Sequence, residues 1–238
     1  MRRGVGGIWA DLADLVLPVE CAGCRGTAGR LRFGVCARCE TVLSALRPAL
    51  VRPTPAPPGL PRCVALGGYD GALREVLLSY KERGRYGLAR PLGFLLAEVV
   101  AAAVGEQPVL LIPVPATAKA ARQRYGDHLR RLSRHAAGRL RAAGRSVLLA
   151  QPLRALPRPD SAMLDSAQRA AASVAAFRLR PERLSALRRA ASGRSVVVLD
   201  DIVTTGATLA AVAGLLAAAG VPVSAAALLA ATARRHPQ

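Results

Sequence analysis

The segment VVVLDDIVTTGATL spans residues 196–209 and carries the strongest structural signal in this chain of 238 residues. It begins with a short apolar run rich in β-branched residues, which is typical of a strand buried on both faces of a sheet. The run ends in two carboxylates, Asp200 and Asp201, and a turn rich in threonine then leads into an apolar helix. Because ligands of open α/β sheets bind at the carboxyl ends of the strands, the segment predicts a binding site there.

The turn after the two aspartates has the chemistry of a phosphate-binding loop. Helix amino termini present backbone N–H groups to anions, and the hydroxyls of Thr204, Thr205 and Thr208 add hydrogen-bond donors. Gly206 lets the backbone approach a ligand closely. Carboxylates beside a phosphate would repel it, so the two aspartates are expected to face hydroxyl groups or a metal ion. A sugar phosphate satisfies both demands.

Two other interpretations of this segment compete with the sugar-phosphate site. The first is a helix capped by threonine that follows two solvated aspartates. The second is the Walker B strand of a P-loop ATPase, whose apolar run also ends in aspartate. That interpretation requires the motif GxxxxGK[ST] upstream, and the dipeptide Gly-Lys does not occur in the chain. The joined pattern of apolar run, acidic pair and threonine turn favours the sugar-phosphate site.

Working outward from this segment, apolar strand-like runs alternate with helical patterns from residue 63 to the end of the chain. Strands are predicted at residues 63–69, 109–114, 146–150, 195–199 and 221–229, and helices at 72–80, 88–104, 126–143, 181–191 and 208–219. Residues 151–168 are polar and interrupted by proline, which predicts a mobile loop. This alternation predicts an α/β fold with a mostly parallel, doubly wound sheet.

Four cysteines near the amino terminus have the spacing of a metal site. Cys21, Cys24, Cys36 and Cys39 form the pattern C-x2-C-x11-C-x2-C, and four thiolates in this arrangement suit tetrahedral Zn²⁺. A site closed by four protein ligands is expected to be structural, and it would stabilise a small zinc-ribbon-like domain over residues 1–46. The alternatives are four unrelated thiols or a redox CxxC pair. Cys63 is interpreted as an ordinary buried thiol.

The two regions are separated by a proline-rich segment. Residues 47–62 contain six prolines and no helix or strand pattern, which predicts a semi-rigid linker. The main domain is therefore expected to span residues 63–238.

The charge of the chain suggests a polyanionic partner. The net charge is +19, and a nucleic acid is a natural ligand for such a surface. The alternative is a compositional bias, because only Lys81 and Lys119 are lysines while alanine, glycine, proline and arginine are abundant. Aromatic residues make up only 3% of the chain, so the core is expected to consist of alanine, valine and leucine.

Cytoplasmic localisation without a membrane span is expected. Residues 209–232 carry no charge, but Gly220-Val221-Pro222 interrupts them, which favours a buried helix followed by a buried strand. Asp11 and Asp14 interrupt what would be the apolar part of a secretion signal. Paired CxxC cysteines suit a reducing compartment and a metal better than disulfides.

The chain resembles a known family over nearly its whole length. The segment 196–209 is similar to the phosphoribosyl-pyrophosphate signature of type I phosphoribosyltransferases. More narrowly, the chain resembles the ComF family of competence-associated proteins. The shared features are the four-cysteine cluster and the segments YDGALREVLLSYKERGR at 69–85, IPVP at 112–115, RQRYGDHL at 122–129 and QRAAASVAAF at 168–177.

This resemblance implies a set of ligands and site residues. Asp200 and Asp201 would bind the ribose hydroxyls of 5-phosphoribosyl-1-pyrophosphate and take part in catalysis with Mg²⁺. The remaining positions implied to bind that ligand are Ile202 and Val203, then Thr204, Thr205, Gly206, Ala207 and Thr208 around the 5′-phosphate, and Pro115, Ala116, Thr117, Lys119, Arg122 and Arg124 around the pyrophosphate. The alternative for the three basic residues of this set is that they form a solvated basic face without binding a ligand. His128 and His135, on the next predicted helix, are interpreted as surface or packing residues, and the role of Lys81 stays open.

The sequence departs from the family at positions that bear on turnover. Ser161 stands where a glutamine is common in the mobile loop, and Ala172 stands where an asparagine is common, while Arg169 is kept. Three hypotheses follow: a phosphoribosyltransferase with an unidentified acceptor, a non-enzymatic single-stranded DNA-binding protein of DNA uptake, or a regulator that senses phosphoribosyl pyrophosphate. A competence helicase is a further partner that the resemblance implies. The sequence leaves the oligomeric state open, a homodimer included.

Overall fold

A six-stranded, mostly parallel sheet organises the structure, a computed structural model that describes residues 20–27, 31–123, 126–157 and 176–232. The strand order is β1-β2-β8-β7-β3-β4. Only β1 is antiparallel to its neighbour. The strands of this sheet are β1 (Ala49–Val51), β2 (Cys63–Gly68), β3 (Val109–Pro113), β4 (Val147–Leu149), β7 (Ser195–Val203) and β8 (Ala225–Ala231).

Helices connect the parallel strands, as expected for an α/β fold. The connecting helices are α2 (Gly71–Glu82), α3 (Ala89–Val104), α4 (Ala118–Gln123), α5 (His128–Ala142), α6 (Leu184–Ala191) and α7 (Ala207–Ala218), whereas α1 (Ala37–Ala45) precedes the sheet. Short 3₁₀ turns, Tyr86–Leu88 and Pro181–Arg183, precede α3 and α6. Helices α3 and α5 pack against each other and against the sheet. The predicted α/β class with a mostly parallel sheet is confirmed.

The core lies on the central strands, where small aliphatic residues fill both faces. All five residues of β3 are buried, and so are the first six of the seven residues of β8. Residues 209–232 form most of α7, a turn and β8, so the prediction of a buried helix and strand is confirmed. One helical stretch, Tyr86–Val104, is long and apolar enough to cross a membrane, but half of its apolar window is buried inside the fold.

The proline-rich segment contains a strand that sequence patterning did not predict. Ala49–Val51 forms β1, which pairs with β2 in the register Ala49↔Ala65. The expectation of a segment without strand structure is therefore wrong at these three residues. An edge strand bonds on one side only, so it tolerates the prolines at 48 and 53 that flank it.

A second, two-stranded sheet lies in and beyond the predicted mobile loop. Strand β5 (Leu153–Ala155) pairs antiparallel with β6 (Phe177–Leu179). The loop prediction is thus wrong at residues 153–155, where three residues were too few to show a strand pattern. Residues 158–175, with Ser161, Arg169 and Ala172, lie outside the described residues.

The strand that carries the acidic pair is longer than predicted. Strand β7 continues past Leu199 to Val203, because pairing with β8 extends to Val203↔Ala231. Strand β8 begins later than predicted, at Ala225. Asp200 and Asp201 therefore lie within a paired strand, and only the residues from Thr204 onward belong to the turn.

Candidate functional site

The two carboxylates of β7 lie in different environments. Successive side chains of a strand point to opposite faces, so Asp200 and Asp201 diverge. Asp201 is buried, with 9% of its side chain exposed, whereas Asp200 is partly exposed. The Oδ1 atom of Asp200 accepts a hydrogen bond of 2.9 Å from the backbone N–H of Asp201. The strand end therefore presents one outward and one inward carboxylate.

Two basic side chains contact the inward carboxylate. The Nζ atom of Lys81, near the end of α2, lies 3.0 Å from Oδ2 of Asp201. The Nε2 atom of His128, the first residue of α5, lies 2.5 Å from the same oxygen. The burial of Asp201 on its own raises the pKa of its carboxyl group. The hydrogen bond from His128 and the charge of Lys81 outweigh that effect and lower the pKa from 3.8 to about 2.

Contacts around His128 hold it in place. The hydroxyl of Tyr80 donates a 2.7 Å hydrogen bond to the backbone carbonyl of His128, and the two rings meet edge to face with centroids 6.3 Å apart. The Nδ1 atom of His128 is buried and has no hydrogen-bond partner within the described parts of the chain. His128 is thus a buried member of the site, whereas His135 is an exposed residue whose Cβ lies beside Gly93 of α3.

The sequence contained an indirect signal for His128. In a parallel sheet, a helix that follows a strand begins at the same edge where the strands end. The first residue of α5 therefore lies beside the end of β7, although the two residues are 73 positions apart.

The threonine turn leads directly into the amino terminus of α7, whose N-cap residue is a glycine. Thr204 and Thr205 are exposed, and Gly206 occupies the position before α7 with a φ of +78°. Gly206 has no side chain that could cap the helix, and the hydroxyl of Thr205 accepts a 3.4 Å hydrogen bond from the backbone N–H of Ala207, the first residue of α7. A Cβ atom at position 206 would come within 2.8 Å of Leu60, so this turn requires glycine. The turn therefore places exposed hydroxyls beside the amino terminus of α7.

The loop after β3 adjoins the acidic strand. The backbone N–H of Val114 donates a 2.9 Å hydrogen bond to the carbonyl of Leu199, the residue before Asp200. Pro115 and Ala116 line a cavity of about 260 Å³. Other residues of its wall include Asp127, Arg130, Arg154 and Arg180. The predicted pyrophosphate loop therefore borders a space with three guanidinium groups.

One carboxylate lies inside this basic environment. Asp127 caps α5 by accepting a hydrogen bond from the backbone N–H of Arg130, and its Oδ2 accepts one of 3.3 Å from the backbone N–H of Ala116. Thr117 accepts a hydrogen bond from the N–H of Ala120 at the start of α4. Of the basic residues expected beside this loop, Lys119 and Arg122 are exposed on α4 and do not line the cavity. Arg124 lies outside the described residues.

The four cysteines come together as the spacing predicts. Their Sγ atoms all lie within 4.8 Å of one another, and the Sγ atoms of Cys24 and Cys36 are 3.8 Å apart. Four sulfurs about 2.3 Å from a tetrahedral Zn²⁺ would be about 3.8 Å from each other. The sulfur geometry therefore fits a zinc ion.

Backbone hydrogen bonds also stabilise a thiolate in this cluster, which favours a bound cation. Burial raises the pKa of the Cys21 thiol, but hydrogen bonds from the backbone N–H groups of Cys36, Cys24 and Gly23 outweigh it and lower the pKa to about 6. Burial and the neighbouring sulfurs raise the pKa of Cys39. Sulfurs this close cannot all carry a negative charge unless a cation compensates them, which is the chemistry of a four-thiolate metal site.

The cysteine segment packs against the main sheet domain. The hydroxyl of Ser79, on α2, donates a buried hydrogen bond of 3.1 Å to the carbonyl of Ala22. Arg85 donates hydrogen bonds to the carbonyls of Glu20 and Gly34. The cysteine segment is therefore in direct contact with α2, the helix that also carries Lys81.

A comparison with protein families places the acidic strand in a known domain. Residues 162–238 match the family model described as phosphoribosyl transferase domain, and this region includes β7, the threonine turn, α7 and β8. No curated protein matches the chain. The fold is therefore an α/β fold with a phosphoribosyltransferase domain, preceded by a four-cysteine cluster at residues 21–39.

Proposed function

We propose that this protein binds 5-phosphoribosyl-1-pyrophosphate with Mg²⁺ and transfers the phosphoribosyl group to a nucleophilic acceptor. The observation that carries the proposal is the sequence of features at the end of β7. An outward carboxylate, a threonine turn and a helix amino terminus follow one another within nine residues, inside the region that matches the phosphoribosyl transferase domain. A ribose 5-phosphate requires groups of these kinds side by side.

The donor would lie across the ends of β7 and β3. The turn Thr204–Thr208 holds the 5′-phosphate with backbone N–H groups and hydroxyls. Asp200 faces outward and accepts hydrogen bonds from the ribose hydroxyls. Asp201 belongs to the same site, with one oxygen held from within by Lys81 and His128.

The pyrophosphate would lie on the β3 side of the donor. Pro115, Ala116 and Thr117 form the loop that borders the arginine-lined cavity. Arg130, Arg154 and Arg180 line that cavity, and Lys119 and Arg122 add positive charge from the exposed face of α4. Arg124, which lies outside the described residues, is expected to contribute as well. A group that leaves as a polyanion is stabilised by such charges in the transition state.

Transfer would be a displacement at C1 of the ribose. The C1–O bond breaks and its electron pair leaves with the pyrophosphate, while a lone pair of the acceptor forms the new bond to C1. Asp200, the partly exposed carboxylate, would hold a Mg²⁺ ion that accompanies the donor. When bound, such an ion would neutralise further charge on the pyrophosphate.

Isothermal titration calorimetry of phosphoribosyl pyrophosphate with Mg²⁺ tests the proposal. The double variant Asp200→Asn/Asp201→Asn is expected to bind at least about tenfold more weakly, because hydrogen bonds from hydroxyls to ionised carboxylates are lost. Glu106→Gln removes an exposed carboxylate at the opposite edge of the sheet and is the matched control. Absence of binding by the wild type contradicts both an enzyme and a sensor of this ligand. Release of pyrophosphate on adding candidate acceptors separates the enzyme from the sensor.

A second candidate function is binding of single-stranded DNA, which would fit the ComF-like role in DNA uptake. The net charge of +19 supports it, and Phe33 is 50% exposed with the guanidinium of Arg32 at 5.6 Å from its ring centre. Aromatic side chains within basic surfaces stack on unpaired bases. Phe33→Ala is then expected to weaken retention of single-stranded DNA, while the exposed control Leu148→Ala leaves it unchanged. Equal retention of both variants contradicts this candidate.

A further inference from the structure

Three consecutive residues of α2 bond to three different parts of the protein. The hydroxyl of Ser79 donates a hydrogen bond of 3.1 Å to the carbonyl of Ala22, inside the first CxxC pair of the cysteine segment at residues 21–39. The hydroxyl of Tyr80 bonds the backbone of α5 at 2.7 Å, and the Nζ atom of Lys81 lies 3.0 Å from Asp201. One turn of helix therefore joins the cysteine segment to the site at the end of β7.

A network of charged side chains reinforces the contact at Ser79. Glu75, one turn earlier on α2, forms ion pairs of 3.0 Å with Arg25 of the cysteine segment and with Arg83 at the end of α2. Arg83 in turn donates a hydrogen bond of 3.1 Å to the hydroxyl of Ser79. Arg25 directly follows Cys24, so the network begins one residue from a cluster cysteine and ends at the buried hydroxyl.

Close packing also joins α2 to the cysteine cluster. A Cβ atom at Gly23 would come within 2.8 Å of the Sγ atom of Cys39 and 3.6 Å of the Cβ atom of Ala72, in the first turn of α2. Gly23 thus lies between the second cysteine pair and the helix. A segment of this size has little core of its own, so its folded shape depends on the metal. Metal binding would therefore fix the surface that α2 contacts.

On its other side, α2 supports the acidic pair of β7. Lys81 and His128 both reach Oδ2 of Asp201, and the backbone N–H of Asp201 donates a 2.9 Å hydrogen bond to Oδ1 of Asp200, the outward carboxylate. A displacement of α2 would move Lys81 directly and, through Tyr80, the start of α5, where His128 lies. Both basic partners of the buried carboxylate thus depend on the position of one helix.

We infer that metal binding at the cysteine cluster positions the acidic pair for the donor, with Ser79, Tyr80 and Lys81 as the positioning residues. This inference rests on the proposed binding of phosphoribosyl pyrophosphate. The metal-bound cluster fixes α2, and α2 keeps Lys81 and His128 on Asp201, so the acidic pair is ordered before the ribose binds. Metal and donor are then coupled, and each tightens the binding of the other by the same factor.

Two titrations on the full chain measure this coupling factor. Calorimetry gives the affinity for phosphoribosyl pyrophosphate with Mg²⁺, on zinc-loaded protein and on protein stripped by a chelator. Competition with a chromophoric chelator gives the zinc affinity with and without the donor, in excess Mg²⁺ so that the donor does not bind zinc in solution. Removal of zinc is expected to weaken donor binding at least about fivefold, and the donor is expected to tighten zinc binding by the same factor.

Variants on α2 locate the coupling. Ser79→Ala/Glu75→Gln removes two side-chain contacts of α2 with the cysteine segment and leaves the four cysteines intact. Its coupling factor is expected to fall, and the zinc-loaded variant is expected to bind the donor more weakly than wild type. The matched control Ser133→Ala/Glu98→Gln changes a buried serine of α5, which bonds only within its own helix, and an exposed glutamate of α3. This control is expected to keep both values.

The possible results separate this inference from the proposed function. Equal donor affinity with and without zinc overturns the inference alone, and so does an unchanged coupling factor in the α2 variant or wild-type protein that binds no zinc. If the stripped chain unfolds, the zinc-loaded variants decide, because equal donor affinity of the two double variants then overturns the inference. Zinc-loaded wild type that does not bind phosphoribosyl pyrophosphate refutes the proposed function, and the coupling with it.

Discussion

The Nε2 atom of His128 lies 2.5 Å from Oδ2 of Asp201, and this contact joins the first residue of α5 to the inward carboxylate of β7. Lys81 reaches the same oxygen from α2. Two basic groups therefore compensate one buried charge, and they come from two different helices, α2 and α5, which both precede β7 in the chain. The acidic pair is divided into an internally neutralised carboxylate and an outward one.

Removal of Lys81 is expected to destabilise the protein. Lys81→Met leaves Asp201 with one basic partner in a buried setting, so the free energy of unfolding is expected to fall by about 1–3 kcal/mol. Lys81→Arg keeps the charge, so its free energy of unfolding is expected to fall by less. Urea unfolding at pH 7 measures the change. The exposed control Lys119→Met is expected to stay within about 0.5 kcal/mol of wild type, and an equal loss in both methionine variants would contradict the role of Lys81.

The lowered pKa of the Asp201 carboxyl group is expected to make the stability of the fold depend on pH. Its pKa is lowered from 3.8 to about 2 in the folded protein, so the unfolded chain binds the proton more tightly. The ionised carboxylate therefore stabilises the fold above about pH 4, and this contribution of about 2 kcal/mol is lost as the pH falls towards 2.

The measurement is the difference in unfolding free energy between wild type and Asp201→Asn from pH 6 to pH 2.5. That difference is expected to shrink as the pH falls. Both proteins keep the cysteine cluster, so acid effects on a metal there cancel. A difference that does not change with pH is incompatible with the lowered pKa.

Asp127 is expected to weaken anion binding at the loop after β3. Its carboxylate bonds the N–H of Ala116 inside an otherwise basic cavity. Asp127→Asn removes the charge and keeps a good helix cap, so Mg²⁺–pyrophosphate is expected to bind about two- to fivefold more tightly. Calorimetry with inorganic pyrophosphate measures this, and Glu182→Gln, an exposed carboxylate before α6, is the control. Weaker binding by the asparagine variant would argue against a pyrophosphate site here.

The four-cysteine cluster is expected to hold one zinc ion per chain. Cys21→Ser or Cys39→Ser is expected to lose most of the metal and to unfold at lower temperature, because metal binding contributes to folding. Cys63→Ser is the matched control, since Cys63 is a buried thiol outside the cluster. Metal analysis after gentle purification gives the zinc content. Zinc-free wild type, or equal metal loss in the Cys63 variant, would refute the assignment.

The elements predicted from sequence are those with a strong local pattern. Strand β7 and helix α7 follow from an apolar run, an acidic pair and a threonine turn that are contiguous in the chain. The strands β1, β5 and β6 were not predicted because each has only three residues. Pairing of β1 with β2, and of β5 with β6, stabilises them, and such pairing leaves no periodicity in a short sequence.

Local sequence patterns also fail to identify the basic partners of Asp201 within the site. The chain before β7 contains many basic residues, and nothing local distinguishes Lys81 and His128 from the others. Only the packing of α2 and α5 beside the sheet brings both to one oxygen. The cavity at the ends of β2, β8 and β7 is a further case, since its wall combines Val203 with residues 47–53, some 150 positions earlier in the chain.

The sequence by itself determined the α/β class, the gathering of the four cysteines and the loop chemistry after Leu199, because each of these depends on residues that are close in the chain or on a repeated apolar pattern. The tertiary structure alone decided that Asp201 is neutralised from within, that Asp200 faces outward and that two cavities flank β7. These features depend on which elements become neighbours in the sheet. That order is set by the burial of all apolar faces together, so no single segment contains it.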